Sequence, residues 1–277
     1  MASERKVLPV FQLLCWVLSL LVLVPLVLIV LNSLKPSAEA AFFSLALPSE
    51  FRWGNYANAF ASGNMLRSSI NSLIMATFST ILSNITAPLA AFVLVRSVNR
   101  LNKLLHMYFF FGVVAMSNMV STTYVMSALN LTNSLLGMIL LNGAQGIAFS
   151  MLLFVGFIKA LPKELDEAAA MDGAVGWMAF FAVIFPLLKP VIMTGMVLNF
   201  MGSWNDFQTQ IYVLTESRNW GVMLSMFGVY GQFSSPWATD WGLISAYIVM
   251  TIIPVMLIYL FGQRYIVEGM TMGAVKG

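Results

Sequence analysis

The sequence has 277 residues, of which 60% are hydrophobic and only 9% are charged, and its formal net charge is +3. A soluble domain of this length carries about a quarter charged residues, because its core needs a polar shell. The composition therefore excludes an ordinary soluble domain and predicts a protein embedded in lipid. The small net charge does not indicate nucleic-acid binding, and the single cysteine, Cys15, allows no internal disulfide.

Uncharged runs predict six membrane-spanning helices, since about 20 apolar residues cross the hydrocarbon core as a helix. The first run, Val7–Leu34, is longer than the core of a signal peptide, so we expect a retained helix and not a cleaved leader. The run Met107–Ile158 would hold two helices separated by the polar turn Asn130–Asn133. We expect an all-α membrane protein forming a single transmembrane domain over 1–277. The predicted spans lie near 10–32, 68–95, 106–128, 137–159, 187–211 and 242–263.

The basic residues predict that both termini are cytoplasmic. Six spans place the termini on one side, and cytoplasmic loops are enriched in Lys and Arg. Ten of the 14 basic residues would lie on that side and four on the other. The ten are Arg5, Lys6, Arg96, Arg100, Lys103, Lys159, Lys163, Lys189, Arg264 and Lys276; the four are Lys35, Arg52, Arg67 and Arg218.

The segment 161–186, between the expected fourth and fifth spans, predicts a short acidic helix. Pro162 suits the first turn of a helix, and three acidic residues follow near the positive end of the helix dipole. Alanines at 168–170 favour a helix without side-chain bulk, and Gly173 permits a bend before the next short helix. A smooth face with acids beside it suits close contact with another protein. An ordinary amphipathic surface helix is the alternative interpretation.

The spacing in this segment resembles the EAA loop of binding-protein-dependent ABC importers, which usually runs E-A-A-x3-G-x9-I-x-L-P. The same spacing is present here, with Val183 and Phe185 in place of the usual Ile and Leu. The segment Trp204–Phe207 resembles the W-N-[DE]-F segment of carbohydrate permeases. Residues 263–277 are similar to the end of the second, smaller permease subunit of maltose-type importers. The resemblance covers nearly the whole chain and implies the type I ABC importer permease fold.

The resemblance also implies a function and partners. The chain would be a permease subunit of an ATP-driven, oligosaccharide-type carbohydrate importer in the cytoplasmic (inner) membrane of a bacterium or archaeon. A second permease, a different chain, would complete the path, two ATPase subunits would bind ATP and Mg²⁺, and the outer segment 212–241 would meet an extracytoplasmic solute-binding protein. By the same resemblance, the residues coupled to the ATPase would be Glu164, Glu167, Ala168, Ala169, Met171, Asp172, Gly173, Pro186, Lys276 and Gly277.

Trp204, Asn205 and Asp206 are candidates for the translocation path. An ionisable group inside a membrane is costly and usually faces a cavity or the bundle interior. The polar groups of Asn205 and Asp206 could bond sugar hydroxyls. Asp206 could instead lie near the outer mouth or bond a neighbouring helix for structural reasons alone.

Catalytic, cofactor and metal chemistry are not expected in this chain. It contains no Gly-Lys dipeptide and hence no G-x-x-x-x-G-K phosphate loop, so ATP hydrolysis would belong to a partner. The only histidine, His106, follows Arg100 and Lys103 at a membrane boundary, which does not indicate a metal site or a catalytic triad.

Three other functions stay open at this stage. The same architecture could carry glycerol-phosphate, a polyamine or an amino acid. A secondary transporter or channel would work without an ATPase, but it predicts repeated halves with interrupted helices, and no such repetition is visible. A membrane-embedded enzyme has the least support, because the sequence lacks a catalytic constellation.

Overall fold

A computed structural model describes residues 4–62, 64–97, 99–114, 118–233 and 239–274. The regular elements in these ranges are helices. They are α1 Glu4–Ser33, α2 Ser37–Ala40, α3 Gly54–Ser62, α4 Met65–Arg96, α5 Arg100–Val114, α6 Met119–Ala128, α7 Leu135–Ala160, α8 Glu164–Met171, α9 Trp177–Ala179, a π-helix Phe180–Ile184, α10 Phe185–Leu187, α11 Lys189–Trp204, α12 Gln208–Val213, a 3₁₀-helix Ser217–Asn219, α13 Val222–Phe233 and α14 Trp241–Ala274.

Four of these helices, α1, α4, α7 and α14, are long and apolar enough to cross a membrane. A fifth span results if the bent pair Trp177–Leu187 and Lys189–Trp204 is counted as one. The expected third span contains residues 115–117, which lie outside the described residues, with α5 before them and α6 after them. The all-α prediction is confirmed, and the count of six spans with cytoplasmic termini stays a prediction.

The expected fifth span, 187–211, is not continuous. Helix α11 ends at Trp204, and the carboxylate of Asp206 accepts a hydrogen bond from the backbone N–H of Thr209, 2.9 Å away. A short polar side chain that bonds a nearby N–H offers the backbone an alternative to the helix. The chain therefore restarts as α12 at Gln208.

The polar turn between α6 and α7 is where the sequence predicts it. Asn130 and Asn133 have φ angles of 55° and 56°, a left-handed conformation that Asn tolerates. The side-chain oxygen of Asn133 accepts the N–H of Glu216 at 3.0 Å. Ser134 caps α7 by accepting the N–H of Gly137 at 3.0 Å, so the helical hairpin has a defined corner.

The first of two compact units comprises residues 1–66 and 225–253. Within it, Lys35 is only 1% exposed, and its ammonium donates to the hydroxyl of Ser44 at 3.1 Å and to the carbonyl of the same residue. The side-chain amide of Asn55 donates to the carbonyl of Lys35 at 2.9 Å. A buried cation needs such partners. These bonds fix the segment that follows α1.

The second unit comprises residues 67–224 and 254–277. An apolar core in it joins α4, α7, the π-helix and α11, so the C-terminal part of the 161–186 segment is anchored by packing. The buried members are Ala87, Ala91, Met151, Phe154, Val155, Ile158, Phe180, Ile184, Leu188, Val191 and Ile192.

Two prolines explain the irregular helix in this core. A proline lacks the N–H donor, and its ring collides with the carbonyl four residues earlier. The wide π-turn Phe180–Ile184 ends two residues before Pro186, and Pro190 lies in the first turn of α11, where no donor is needed. The helices on either side of Leu188 are bent by 76°.

Candidate functional site

The short acidic helix predicted in the 161–186 segment is present as α8, and its coupling role stays a prediction. Glu164, Asp166 and Glu167 occupy its first turn, as their charge favours. Ala169 is 5% exposed and faces the rest of the chain, whereas Glu167 and Ala168 are exposed and Met171 is 89% exposed. The helix thus presents acidic, small and flexible apolar side chains on its outer face.

Helix α8 ends in a Schellman turn whose backbone conformation favours glycine at position 173. The N–H of Ala174 donates to the carbonyl of Ala169 at 2.8 Å, and the N–H of Gly173 donates to that of Ala170 at 3.0 Å. Gly173 has φ of +81°, a conformation that costs other L residues free energy. A Cβ atom added there would meet nothing within 4 Å, so the constraint within this chain is on the backbone alone.

An ion pair joins α8 to the end of α4. The Nε atom of Arg96 lies 2.7 Å from Oδ2 of Asp166, and the two side chains are only 14% and 26% exposed. A terminal nitrogen of the Arg96 guanidinium also donates to the carbonyl of Leu161 at 3.4 Å. Sequence reasoning used Arg96 for orientation and Asp166 for the helix dipole, and it did not predict this pair.

The three path candidates differ in their surroundings. Trp204 is 2% exposed and stacks on Phe200 with ring centroids 6.0 Å apart, and Asn205 is exposed. Of the three, Asp206 lines a cavity with a volume of about 440 Å³, and Trp204 and Asn205 are not among the described residues that line this cavity.

This cavity lies between α7 and α11 and has a polar wall. Asn142 and Gln145 line it from α7, and Asn199 and Ser203 line it from α11. The amide of Asn142 donates to the hydroxyl of Ser203 at 3.0 Å, and that of Asn199 donates to Ser150 at 2.8 Å. The side-chain oxygen of Asn142 is buried and has no hydrogen-bond partner among the described residues. The cavity can therefore offer both donors and acceptors to a polar solute.

Sequence reasoning missed these four side chains, although it had a usable signal. Asn142 and Gln145 are three residues apart, and Asn199 and Ser203 are four apart, so each pair lies on one face of an apolar helix. Polar side chains in a membrane helix usually face the bundle interior or a cavity. Of the predicted coupling residues, Lys276 and Gly277 lie outside the described residues.

Comparison with known proteins shows the family. Residues 4–271 match the family described as binding-protein-dependent transport system inner membrane component. The chain belongs to this family. It is thus a multi-pass membrane permease component, as the EAA-like spacing at Glu167–Pro186 predicts.

Several relatives of this inner membrane component match it over most of their own length and of this chain. The chain is 29% identical to the diacetylchitobiose uptake system permease protein NgcG of Streptomyces coelicolor, over 99% of this chain and 91% of that protein. It is 28% identical to the melibiose/raffinose/stachyose import permease protein MelC of Bacillus subtilis, over 100% and 99%. It is 31% identical to the multiple sugar-binding transport system permease protein MsmG of Streptococcus mutans, over 93% of each.

A solved structure shares the fold of this inner membrane component. It is a chain of a bacterial ABC transporter involved in the import of the acidic polysaccharide alginate. The TM-score is 0.83 at 22% identity, covering 96% of this chain and 98% of that one. The expected ABC permease fold is therefore confirmed.

Proposed function

We propose that this chain is one permease subunit of an ATP-driven carbohydrate importer, and that its 161–186 segment docks on a separate ATPase. The observation that carries this proposal is the construction of α8. Its outer face is exposed, its end is fixed by the turn at Gly173, and it is tied to α4 through Arg96 and Asp166. A displacement of α8 by the ATPase would thus pull on α4 as well as on the helix that follows.

The polar cavity favours a neutral, hydroxyl-rich solute. Its wall offers amides and hydroxyls, which match sugar hydroxyls because both can donate and accept. Asp206 is the charged group among its described lining residues, and no Lys or Arg is found there. A phosphate would meet a carboxylate and find no cation, so the cavity disfavours glycerol-phosphate. The sugars named for NgcG, MelC and MsmG support the same solute class.

The proposal includes the remaining partners and the topology. Six spans with cytoplasmic termini would place α8 on the cytoplasmic side of a bacterial or archaeal inner membrane. A second permease, of a different chain, would face this one across the path, and a solute-binding protein would meet the outer side. Two ATPase subunits would hold ATP and Mg²⁺, and this chain would have no ATPase site of its own.

Affinity purification of the full-length chain from its native membrane in mild detergent tests this assembly. Mass spectrometry should recover a P-loop ATPase and a second permease in stoichiometric amounts. Recovery of the chain alone, with solute uptake in liposomes that needs no ATP, would contradict the proposal and support a secondary transporter.

A substitution in the cavity tests the solute class. Asn199→Leu should reduce uptake of a neutral disaccharide by the reconstituted complex while leaving the ATPase bound. Asn84→Leu is a matched control, since Asn84 is a buried amide on α4 that does not line the cavity. Equal losses of uptake in both variants would indicate a general packing defect and remove the cavity from the path.

A further inference from the structure

A basic pocket of about 780 Å³ lies where the end of α4, the start of α5 and the end of α7 meet. Arg100, Lys103 and His106 line it from α5, three residues apart, and Lys159 lines it from the last turn of α7. Its described lining residues include no acid. Among the residues whose side chains the structure describes, Arg100, Lys103 and Lys159 have no ion-pair partner, unlike Arg96 nearby. Their positive charge is therefore not compensated by the described part of the chain.

The corner that carries these cations is held by hydrogen bonds. The side-chain amide of Asn102 donates to the carbonyls of Ser97, at 2.6 Å, and Val93, at 3.4 Å. The side-chain oxygen of Asn99 accepts the N–H of Asn102 at 2.7 Å, which caps the start of α5. Since these bonds join the start of α5 to the end of α4, the like charges are kept together despite their repulsion.

The pocket also has a polar atom without a partner and an apolar wall. The Nε2 atom of His106 is buried and has no hydrogen-bond partner among the described residues. Leu94 and Met107 line the same pocket. Leu101 and Leu104, on the adjoining surface of α5, are 62% and 64% exposed. A ligand that fits would have an anionic head and an apolar body.

We infer that this pocket binds the phosphate headgroup of an anionic membrane lipid. Charge-assisted hydrogen bonds from Arg100, Lys103 and Lys159 would hold the phosphate oxygens, and the acyl chains would lie against Leu94. The cytoplasmic leaflet carries anionic lipids, and the proposed topology places this pocket at that leaflet. Inorganic phosphate offers the same oxygens but nothing for the apolar wall. The inference does not depend on which solute the complex carries.

Lipid binding to the full-length, delipidated protein in neutral detergent tests the inference. The probes are dioleoyl phosphatidylglycerol, dioleoyl phosphatidylcholine and inorganic phosphate, measured by native mass spectrometry and by thermal stabilisation. The pocket variant combines Arg100→Gln, Lys103→Gln and Lys159→Gln. A control variant with the same loss of charge outside the pocket combines Lys163→Gln, Lys189→Gln and Arg264→Gln.

We expect the pocket variant to bind phosphatidylglycerol about a hundredfold more weakly, since each cation near a membrane surface contributes about a fivefold gain. The control variant should bind it as the unmodified chain does, and phosphatidylcholine should bind weakly to all three. Equal phosphatidylglycerol affinity of the two variants would overturn the inference. Displacement of phosphatidylglycerol by millimolar inorganic phosphate would also overturn it, assigning the pocket to free phosphate.

Discussion

Replacing Asp166 by Asn removes one charge of the ion pair with Arg96 while keeping the size of the side chain. Exposed pairs contribute about 0–1 kcal/mol, and breaking a fully buried pair costs about 3–5 kcal/mol. At 14% and 26% exposure the two side chains are mostly, but not fully, buried. We therefore expect the substitution to reduce the free energy that favours α8 bound to α4 by about 1–3 kcal/mol. The population of this bound position then falls about fivefold to a hundredfold relative to displaced positions.

The assay is the ratio of solute transported to ATP hydrolysed by the assembled complex in proteoliposomes, together with retention of the ATPase on the immobilised chain. Asp166→Asn should lower the ratio by about tenfold while the chain still inserts and keeps its melting temperature within a few degrees. Asp166→Glu keeps the charge and should retain most of the coupling. Exchange of the two charges, Arg96→Asp with Asp166→Arg, should restore part of the loss.

The matched control is the exposed pair of Arg52 and Glu50, whose N–O distance is 3.8 Å and whose side chains are 55% and 71% exposed. Glu50→Gln should leave the ratio unchanged, because exposed pairs contribute little. An unchanged ratio in Asp166→Asn would refute the idea that the pair transmits force. A loss in Asp166→Asn that neither Asp166→Glu nor the exchanged pair relieves would refute the role of the charge.

Three further predictions concern other parts of the chain. Gly173→Val should lower the ratio of solute transported to ATP hydrolysed about fivefold to thirtyfold, because valine is strained at the positive φ of this position. Gly173→Asn should be nearly neutral, because Asn tolerates that conformation. Equal effects of the two substitutions on this ratio would contradict the prediction. Gly137→Ala should destabilise the chain by about 1–3 kcal/mol, because the new Cβ would lie 1.9 Å from the carbonyl oxygen of Leu131. An unchanged melting temperature in a thermal unfolding assay would contradict this prediction. Hydrogen bonds from the hydroxyl and N–H of Ser49 lower the pKa of Glu39 below its usual 4.5. The contact is therefore fully present above pH 4.5 and is lost as the pH falls through the lowered pKa. An NMR titration of Glu39 should show a midpoint that rises in Ser49→Ala.

Much of the helical frame follows from composition, because the length of an apolar run decides where a span begins and ends. The expected span 68–95 corresponds to α4 at Met65–Arg96, and 137–159 corresponds to α7 at Leu135–Ala160. The polar turn at Asn130–Asn133 was predictable because Asn tolerates a left-handed backbone. These features depend on short stretches of sequence, each of which has its own physical signal.

The bend at Leu188 and the break after Trp204 were not predictable in the same way. Hydropathy is the same for a straight helix and a bent one, and the polar residues Asn205 and Asp206 after Trp204 do not by themselves show whether the helix continues. The break depends on one hydrogen bond from Thr209 to Asp206, and the bend depends on packing around two prolines. Both interruptions of the helix therefore depend on specific contacts that composition does not reveal.

The same distinction between local sequence signals and tertiary contacts applies to the candidate site. Helix α8 was predictable because its residues are contiguous and their spacing resembles a known loop. The cavity joins Asn142 to Ser203, 61 residues apart, and the ion pair joins two different elements, so neither has a local pattern. A rule that pairs polar residues on one face of each apolar helix would have found the cavity wall, though not the partner of Arg96.

The π-turn at Phe180–Ile184 gives a physical meaning to the fixed count of nine residues between Gly173 and Val183. A π-turn accommodates one residue more than an α-helical turn, and each residue of an α-helix advances the chain by about 100° around its axis. Removing one residue inside the π-turn, such as Ala182, would restore α-helical winding and leave the chain before it facing nearly the same way. Removing one residue from the regular helix beside it, such as Met178, would instead turn everything before it by about 100°, and Asp166 would then point away from Arg96 although every residue of α8 was unchanged. The orientation of α8 therefore depends on the number of residues outside the π-turn, so this segment should tolerate apolar replacements throughout and a single deletion only within the π-turn.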